Sequence, residues 1–93
     1  MKTEFIDVFH NRILLTNKRW KHIIKEHPEV EPYRKLISVV LKQPDLIKMS
    51  KRRKNTFLYY RYYNTIYNGK YILAVARVKE KPSLLTCYYN RSD

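Results

Sequence analysis

His22, His27, Arg77, Thr86 and Tyr88 are the side chains of this sequence best matched to breaking a phosphodiester bond without a metal. That chemistry needs a base to take the proton of a ribose 2′-OH, an acid for the departing 5′-oxygen, and cations or hydroxyls for the charge that builds on the phosphate. An imidazole changes charge near neutral pH and serves as base or acid. His27 falls at i+7 from Trp20 on one helical face, where its plainer role is a histidine at the edge of the core. His22 points about 160° away from Trp20, where its plainer role is an exposed surface residue. His10 sits in an expected turn. Arg77 interrupts an apolar strand, Ile72-Leu73-Ala74-Val75-Ala76-Arg77-Val78. It reads either as an arginine on an open sheet face or as a clamp whose planar guanidinium holds two phosphate oxygens.

Several other chemistries are excluded. The sequence has no Gly-rich phosphate loop, no paired carboxylates, no nucleophile elbow and no HExxH, so nucleotide hydrolysis and zinc-protease chemistry are not expected. Cys87 is the only cysteine, which rules out an intrachain disulfide, and no Cys or His spacing suits zinc. No metal or cofactor is therefore expected. The 93 residues carry 20 Lys and Arg against 8 Asp and Glu, a formal charge of +12. Residues 46–93 hold eleven of the basic side chains, two of the acidic ones and eight of the nine tyrosines. Cations interleaved with aromatic rings suit a phosphate backbone with stackable bases, so nucleic acid, RNA first, is the expected partner. Lys51, Arg52, Arg53 and Lys54, with Tyr60, Arg61 and Tyr62, are the candidate RNA-binding residues; the basic run also reads as a solvated loop. No apolar run approaches the roughly 18 residues of a membrane span, and Met1 to His10 does not resemble a signal peptide, so a cytoplasmic protein with no membrane partner is expected.

Positioning these residues requires a small α+β domain: two N-terminal helices packed on one face of a four-stranded antiparallel sheet, preceded by a short N-terminal hairpin. Glu4 to Val8 and Ile13 to Leu15 form the hairpin. Thr16 caps a helix bearing Trp20, Ile23, Ile24 and His27, which stops near Pro28. A second helix starts with Glu29 and Glu31 in its first turn and runs through Leu36, Ile37, Val40 and Leu41 to Gln43-Pro44. Four strands follow at 46–49, 56–67, 70–79 and 84–89. Asn68-Gly69 reads as a two-residue type I′ turn, which sets Tyr60 opposite Arg77 and Tyr62 opposite Val75. A loop centred on Lys81-Pro82 then sets Arg77 opposite Thr86. In that register Ile72, Ala74, Ala76, Val78, Leu85 and Cys87 line the core face. The open face carries Tyr60, Tyr62, Leu73, Val75, Arg77, Leu84, Thr86 and Tyr88, and Arg61 falls on the helix-covered side.

The runs Ile13-Leu14-Leu15-Thr16, Arg19-Trp20-Lys21-His22-Ile23, His27-Pro28-Glu29, Gln43-Pro44-Asp45 and Leu85-Thr86-Cys87-Tyr88 occur in that order around a tyrosine-rich strand. From about Arg12 to Asn90 the chain resembles the phage-associated members of the barnase, EndoU, colicin and RelE-like (BECR) ribonuclease superfamily. The resemblance implies one ribonuclease domain over residues 1–93, a helical part on a four-stranded antiparallel sheet, and metal-independent RNA cleavage. It also implies a place as the toxin of a toxin–antitoxin pair, with an acidic antitoxin covering the basic groove. By position it assigns the helix histidine to His22 or His27, the strand cation to Arg77, and the last-strand hydroxyls to Thr86 and Tyr88. A non-catalytic RNA- or DNA-binding module, resting on charge and tyrosines alone, is the competing expectation.

Overall fold

The computed structural model describes residues 2–66 and 69–90. It is mostly sheet. Six strands lie in the order β1-β2-β6-β5-β4-β3, where β1 is Lys2–Ile6, β2 Arg12–Thr16, β3 Leu46–Met49, β4 Thr56–Tyr63, β5 Lys70–Arg77 and β6 Ser83–Asn90. All neighbours are antiparallel except β2 and β6, which pair in parallel at Leu14 and Ser83. This corrects the expected four-stranded antiparallel sheet. The N-terminal hairpin does not stand apart from the sheet; it is the sheet's edge, joined by a pairing across almost seventy residues that leaves no local mark in the sequence.

Among the described residues there are three short helices: α1 (Asn17–Glu26), a 3-10 helix over Pro28–Tyr33, and α2 (Leu36–Lys42). Thr16 caps α1, its Oγ1 accepting from the Arg19 N–H at 3.1 Å, and Trp20 and Ile23 face the core. The expected second helix is divided because Pro32 offers no N–H and disfavours α geometry at Glu31, so the first part tightens into 3-10 turns. Ile37, Val40 and Leu41 of α2, with Val30, pack beneath the sheet against Ile13, Leu15, Tyr59, Ile72, Ala74, Ala76, Leu84 and Cys87.

The β4–β5 register differs from the expected one by four residues. Tyr60 lies opposite Leu73, Tyr62 opposite Tyr71, and Arg77 opposite Thr56. The connection does not close in two residues: Tyr63 pairs with Lys70, and Ile66 folds back into the core at 4% exposure, so burying one apolar side chain outweighs the tighter turn. Asn68 lies outside the described residues. Gly69 has φ +102, a conformation L side chains rarely adopt, and a Cβ there would collide with the Tyr62 ring. A shift of four preserves the two-residue alternation, so Tyr60, Tyr62, Leu73, Val75 and Arg77 still share a face.

The β5–β6 pairing sets Val75 opposite Thr86 and Leu73 opposite Tyr88, then breaks register at Val75/Ala76. Beyond the break Leu84 pairs with Ala76 and joins the core, while Leu85 packs on the open face, an exchange of the two leucines from their expected faces. Arg77 thus faces Ser83 rather than Thr86.

The Asp7–Asn11 turn is built around one carboxylate. Asp7 is 2% exposed and accepts from the Phe9 and Asn11 N–H groups, Asn11 Nδ2, and the Tyr59 hydroxyl at 2.5 Å. Burial, then the Asp7 hydrogen bond and charge, push the Tyr59 phenol far above its ordinary value. Cys87 is buried, and burial followed by the nearby Glu29 charge pushes its thiol up to about 12. The thiol should therefore stay protonated and resist iodoacetamide at pH 8 in the folded protein while reacting readily in urea. Equal labelling rates in the two states would contradict its burial.

Candidate nucleic-acid active site

Residues on the uncovered face form rows running across the strands. One row holds Thr56, Arg77, Ser83, Leu14 and Glu4; the next Lys48, Leu58, Val75 and Thr86; the third Leu46, Tyr60, Leu73 and Tyr88; the fourth Tyr62 and Tyr71. Tyr60, Leu73 and Val75 make a small second cluster, with Leu58, Tyr71, Leu85 and Tyr88 packed against it, and all its members are strand residues. The sheet gives this face an apolar floor, and polar groups stand at its margins.

His27 is brought to this floor by the end of α1. The β2 strand stops at Thr16, and α1 follows at once and packs beside β6, so the residue after the helix reaches Tyr88 on the sheet's open side. The His27 ring stacks on Tyr88, with centroids 5.0 Å apart and planes 24° from parallel. Its Nδ1 lies 3.5 Å from Glu29 Oε2. A carboxylate on Nδ1 orients an imidazole and leaves Nε2 to the substrate side. Glu29, expected in the first turn of the second helix and as the end of the His27-Pro28-Glu29 run, thus lies beside the candidate histidine. The signal was in His27-Pro28-Glu29: a proline after a helix end turns the chain back on itself.

Tyr88 is half-buried, and burial, then the neighbouring Tyr60, raise its phenol above the ordinary value. It stays protonated at neutral pH and is a hydroxyl donor, suited to an anionic oxygen. Thr86 stands two residues before it on the same face. Arg77 is exposed and lies two residues along β5 from the Thr86 row, a diagonal of roughly 8 Å between Cα atoms that a long side chain spans. From the Tyr88 row it is four residues, or about 13 Å, away. His27, Tyr88, Thr86 and Arg77 therefore form a line, with the histidine and the guanidinium at opposite ends.

His22 is not part of that line. Five residues before His27, it lies about 140° around the helix and about 7.5 Å back along it. It is exposed and lines a shallow pocket of about 360 Å³ with Thr16, Lys18 and Arg19. Arg61 lies on the opposite side of the sheet, half-buried, its Nη1 donating to the Gln43 carbonyl at 2.5 Å and its guanidinium 5.8 Å from the Tyr63 ring centroid. It lies on the other side of the sheet from Tyr60 and Tyr62.

Tyr60 is 9% exposed, so its ring is floor rather than platform, with the Lys48 ammonium 5.5 Å above its centroid. Tyr62 is 42% exposed and meets Tyr71 at 5.3 Å, nearly edge-on. Tyr62 and Tyr71 are the rings a base can reach; Tyr71 was missed because the expected register did not bring it beside Tyr62. Lys51, Arg52, Arg53 and Lys54 are exposed in the β3–β4 loop, at the Arg77 end of the face. The Val78 N–H donates to the Asn55 carbonyl at 2.8 Å, tying that loop to the end of β5. The face thus has a basic end and a tyrosine end, with Thr86 between them.

Among the described residues no three His, Cys, Asp or Glu side chains gather as metal ligands, and no helix is long and apolar enough to cross a membrane. An uncovered sheet face with a histidine, a hydroxyl pair and an arginine in line is the equipment of a nuclease. The chain belongs to the family described as phage-Barnase-EndoU-ColicinE5/D-RelE like nuclease2, whose pattern matches residues 2–92. No curated protein and no solved structure matches it.

Proposed function

We propose that this nuclease is an endoribonuclease that cleaves by attack of a 2′-OH on the adjacent phosphorus, with no metal in the reaction. The observation that carries this is the seat of His27: stacked on Tyr88, braced by Glu29, and set at one end of a polar line that ends in Arg77. His27 Nε2 takes the 2′-OH proton. The Thr86 and Tyr88 hydroxyls donate to the non-bridging oxygens, and Arg77 offsets the charge of the pentavalent phosphorus. The P–O bond to the 5′-oxygen breaks, and that oxygen takes its proton from water on the open side of the face. His22, distant from this line, lies outside the chemistry.

The basic end holds phosphates on one side of the scissile bond, and Tyr62 with Tyr71 stacks a base on the other. Replacing Lys51, Arg52, Arg53 and Lys54 together by serine should reduce the slope of log affinity against log salt by up to about 3, from about 0.7 per phosphate contact on a single strand. The turnover number should change less than about threefold, since the loop touches no reacting atom. A large loss of turnover at saturating RNA would place the loop in the chemistry. In the cell such an enzyme acts as a toxin, and its formal charge of +12 with an uncovered basic face favours an acidic antitoxin as its partner.

The test is cleavage of a defined RNA by the purified protein in EDTA, with the product ends identified. A 2′,3′-cyclic phosphate is the expected end. Tight, salt-sensitive binding without any cutting would favour a binding module in place of the enzyme.

A further inference from the structure

One pocket on the uncovered face takes no part in the site above. Lys2, Glu4, Arg12, Leu14, Lys81 and Pro82 line a shallow pocket of about 720 Å³. Leu14 shares a row with Ser83 and Arg77, so the pocket lies on the same face, two strand spacings or about 10 Å from Arg77. Its lining carries three cations and one carboxylate around an apolar floor of Leu14 and Pro82. The loop that presents Lys81 is held in an uncommon shape: Glu80 has φ 52 and Lys81 φ 64, both left-handed without glycine, and the Leu14 N–H is fixed to the Pro82 carbonyl at 3.1 Å. Strain of this kind persists where the surrounding structure fixes it and clusters at functional positions.

The geometry points to this pocket as a second seat on the nucleic-acid track: Arg12, Lys81 and Lys2 hold the backbone phosphates of RNA that runs from the scissile position past Ser83 onto the β1–β2 hairpin. This inference rests on the proposed ribonuclease reading and adds a direction to it. The strand crosses the parallel β2–β6 seam as well as lying along β4 and β5. Arg12 stands about 13 Å along the strands from the Thr86 level, so only RNA extending several nucleotides to one side of the cut reaches the pocket. Glu4 is the one acid among the described lining residues and opposes a phosphate, so its removal should tighten binding.

The experiment uses 2′-O-methyl RNA, which leaves no 2′-OH to attack, at lengths of about 4 and about 12 nucleotides. The parent should bind the longer strand at least about tenfold more tightly. Arg12→Gln with Lys81→Asn should remove most of that gain and lower the salt slope by about 1.4, leaving the short strand's affinity and cleavage of a short unmodified RNA unchanged. Both positions are exposed, and asparagine accepts the left-handed conformation of Lys81, so the variant should fold. Glu4→Gln should strengthen binding of the longer strand severalfold. If the parent bound no RNA at all, the ribonuclease reading would fail with it. If the parent bound and cut RNA but the double variant kept the full length dependence, only the second seat would be overturned. Binding of an acidic peptide in place of the longer RNA, lost in the same variant, would overturn it in favour of a protein-facing pocket.

Discussion

Replacing His27 by alanine should lower kcat/KM for RNA cleavage by roughly 10²- to 10⁴-fold, the usual loss when a positioned general base is removed. That is about 3–5 kcal/mol of transition-state stabilisation. The loss should fall on kcat, because the proposed base takes the proton being transferred and adds little to holding RNA in place. His22→Ala is the matched control. Its side chain lines a pocket with Thr16, Lys18 and Arg19, away from the His27 line, so it should change kcat less than about threefold. Glu29→Gln should fall between the two on kcat and leave KM nearly unchanged, since a carboxylate 3.5 Å from Nδ1 acts through the ring's orientation. An unchanged rate for His27→Ala with a large loss for His22→Ala would move the base to the other side of α1.

The second large effect is on stability. Asp7→Ala should lower the unfolding free energy by about 3–5 kcal/mol, a large share of the roughly 5–15 kcal/mol typical of a domain. It removes the acceptor of four hydrogen bonds, among them that of the buried Tyr59 hydroxyl, and frees the turn that joins β1 to β2. Tyr59→Phe removes one donor of the four and should cost about 1–3 kcal/mol. Tyr59 also sets an alkaline limit. Its folded phenol ionises far above the unfolded one, so its contribution is fully present below about pH 10, and above that the unfolded chain alone releases the proton. Stability should then fall by about 1.4 kcal/mol per pH unit from this group. Urea unfolding of the parent and both variants between pH 7 and about 11 measures all of this. A loss below about 1 kcal/mol for Asp7→Ala would show that the turn holds without its carboxylate.

The contrast between these sites explains what the sequence made legible. Local period carried the near-neighbour features: Trp20 and Ile23 turn inward on a capped α1, and alternation along β4 and β5 puts Tyr60, Tyr62, Leu73, Val75 and Arg77 on one face. That alternation survived an error of four residues in register, because parity is all it needs. What had no local signature was lost. The parallel pairing of Leu14 with Ser83 joins residues far apart in sequence, the break at Val75/Ala76 is one residue of slack, and Ile66 chose burial over the turn that Asn68-Gly69 favours by itself. The candidate site followed the same rule. His27, Thr86 and Tyr88 could be put forward by residue type, whereas their alignment depends on β2 ending where α1 begins. Glu29 and Tyr71 became visible only with that alignment.

The central claim is that the 2′-OH beside the scissile phosphate is the nucleophile on this face. The most direct measurement follows cleavage, in EDTA, of an RNA cut at one mapped position and of the same strand carrying a single 2′-deoxy nucleotide there. Cutting should stop at the deoxy position while binding stays within about twofold, since one hydroxyl contributes little to the track's affinity. Cutting at the same position in the deoxy strand would contradict the account, because the phosphorus would then be attacked by something other than the ribose.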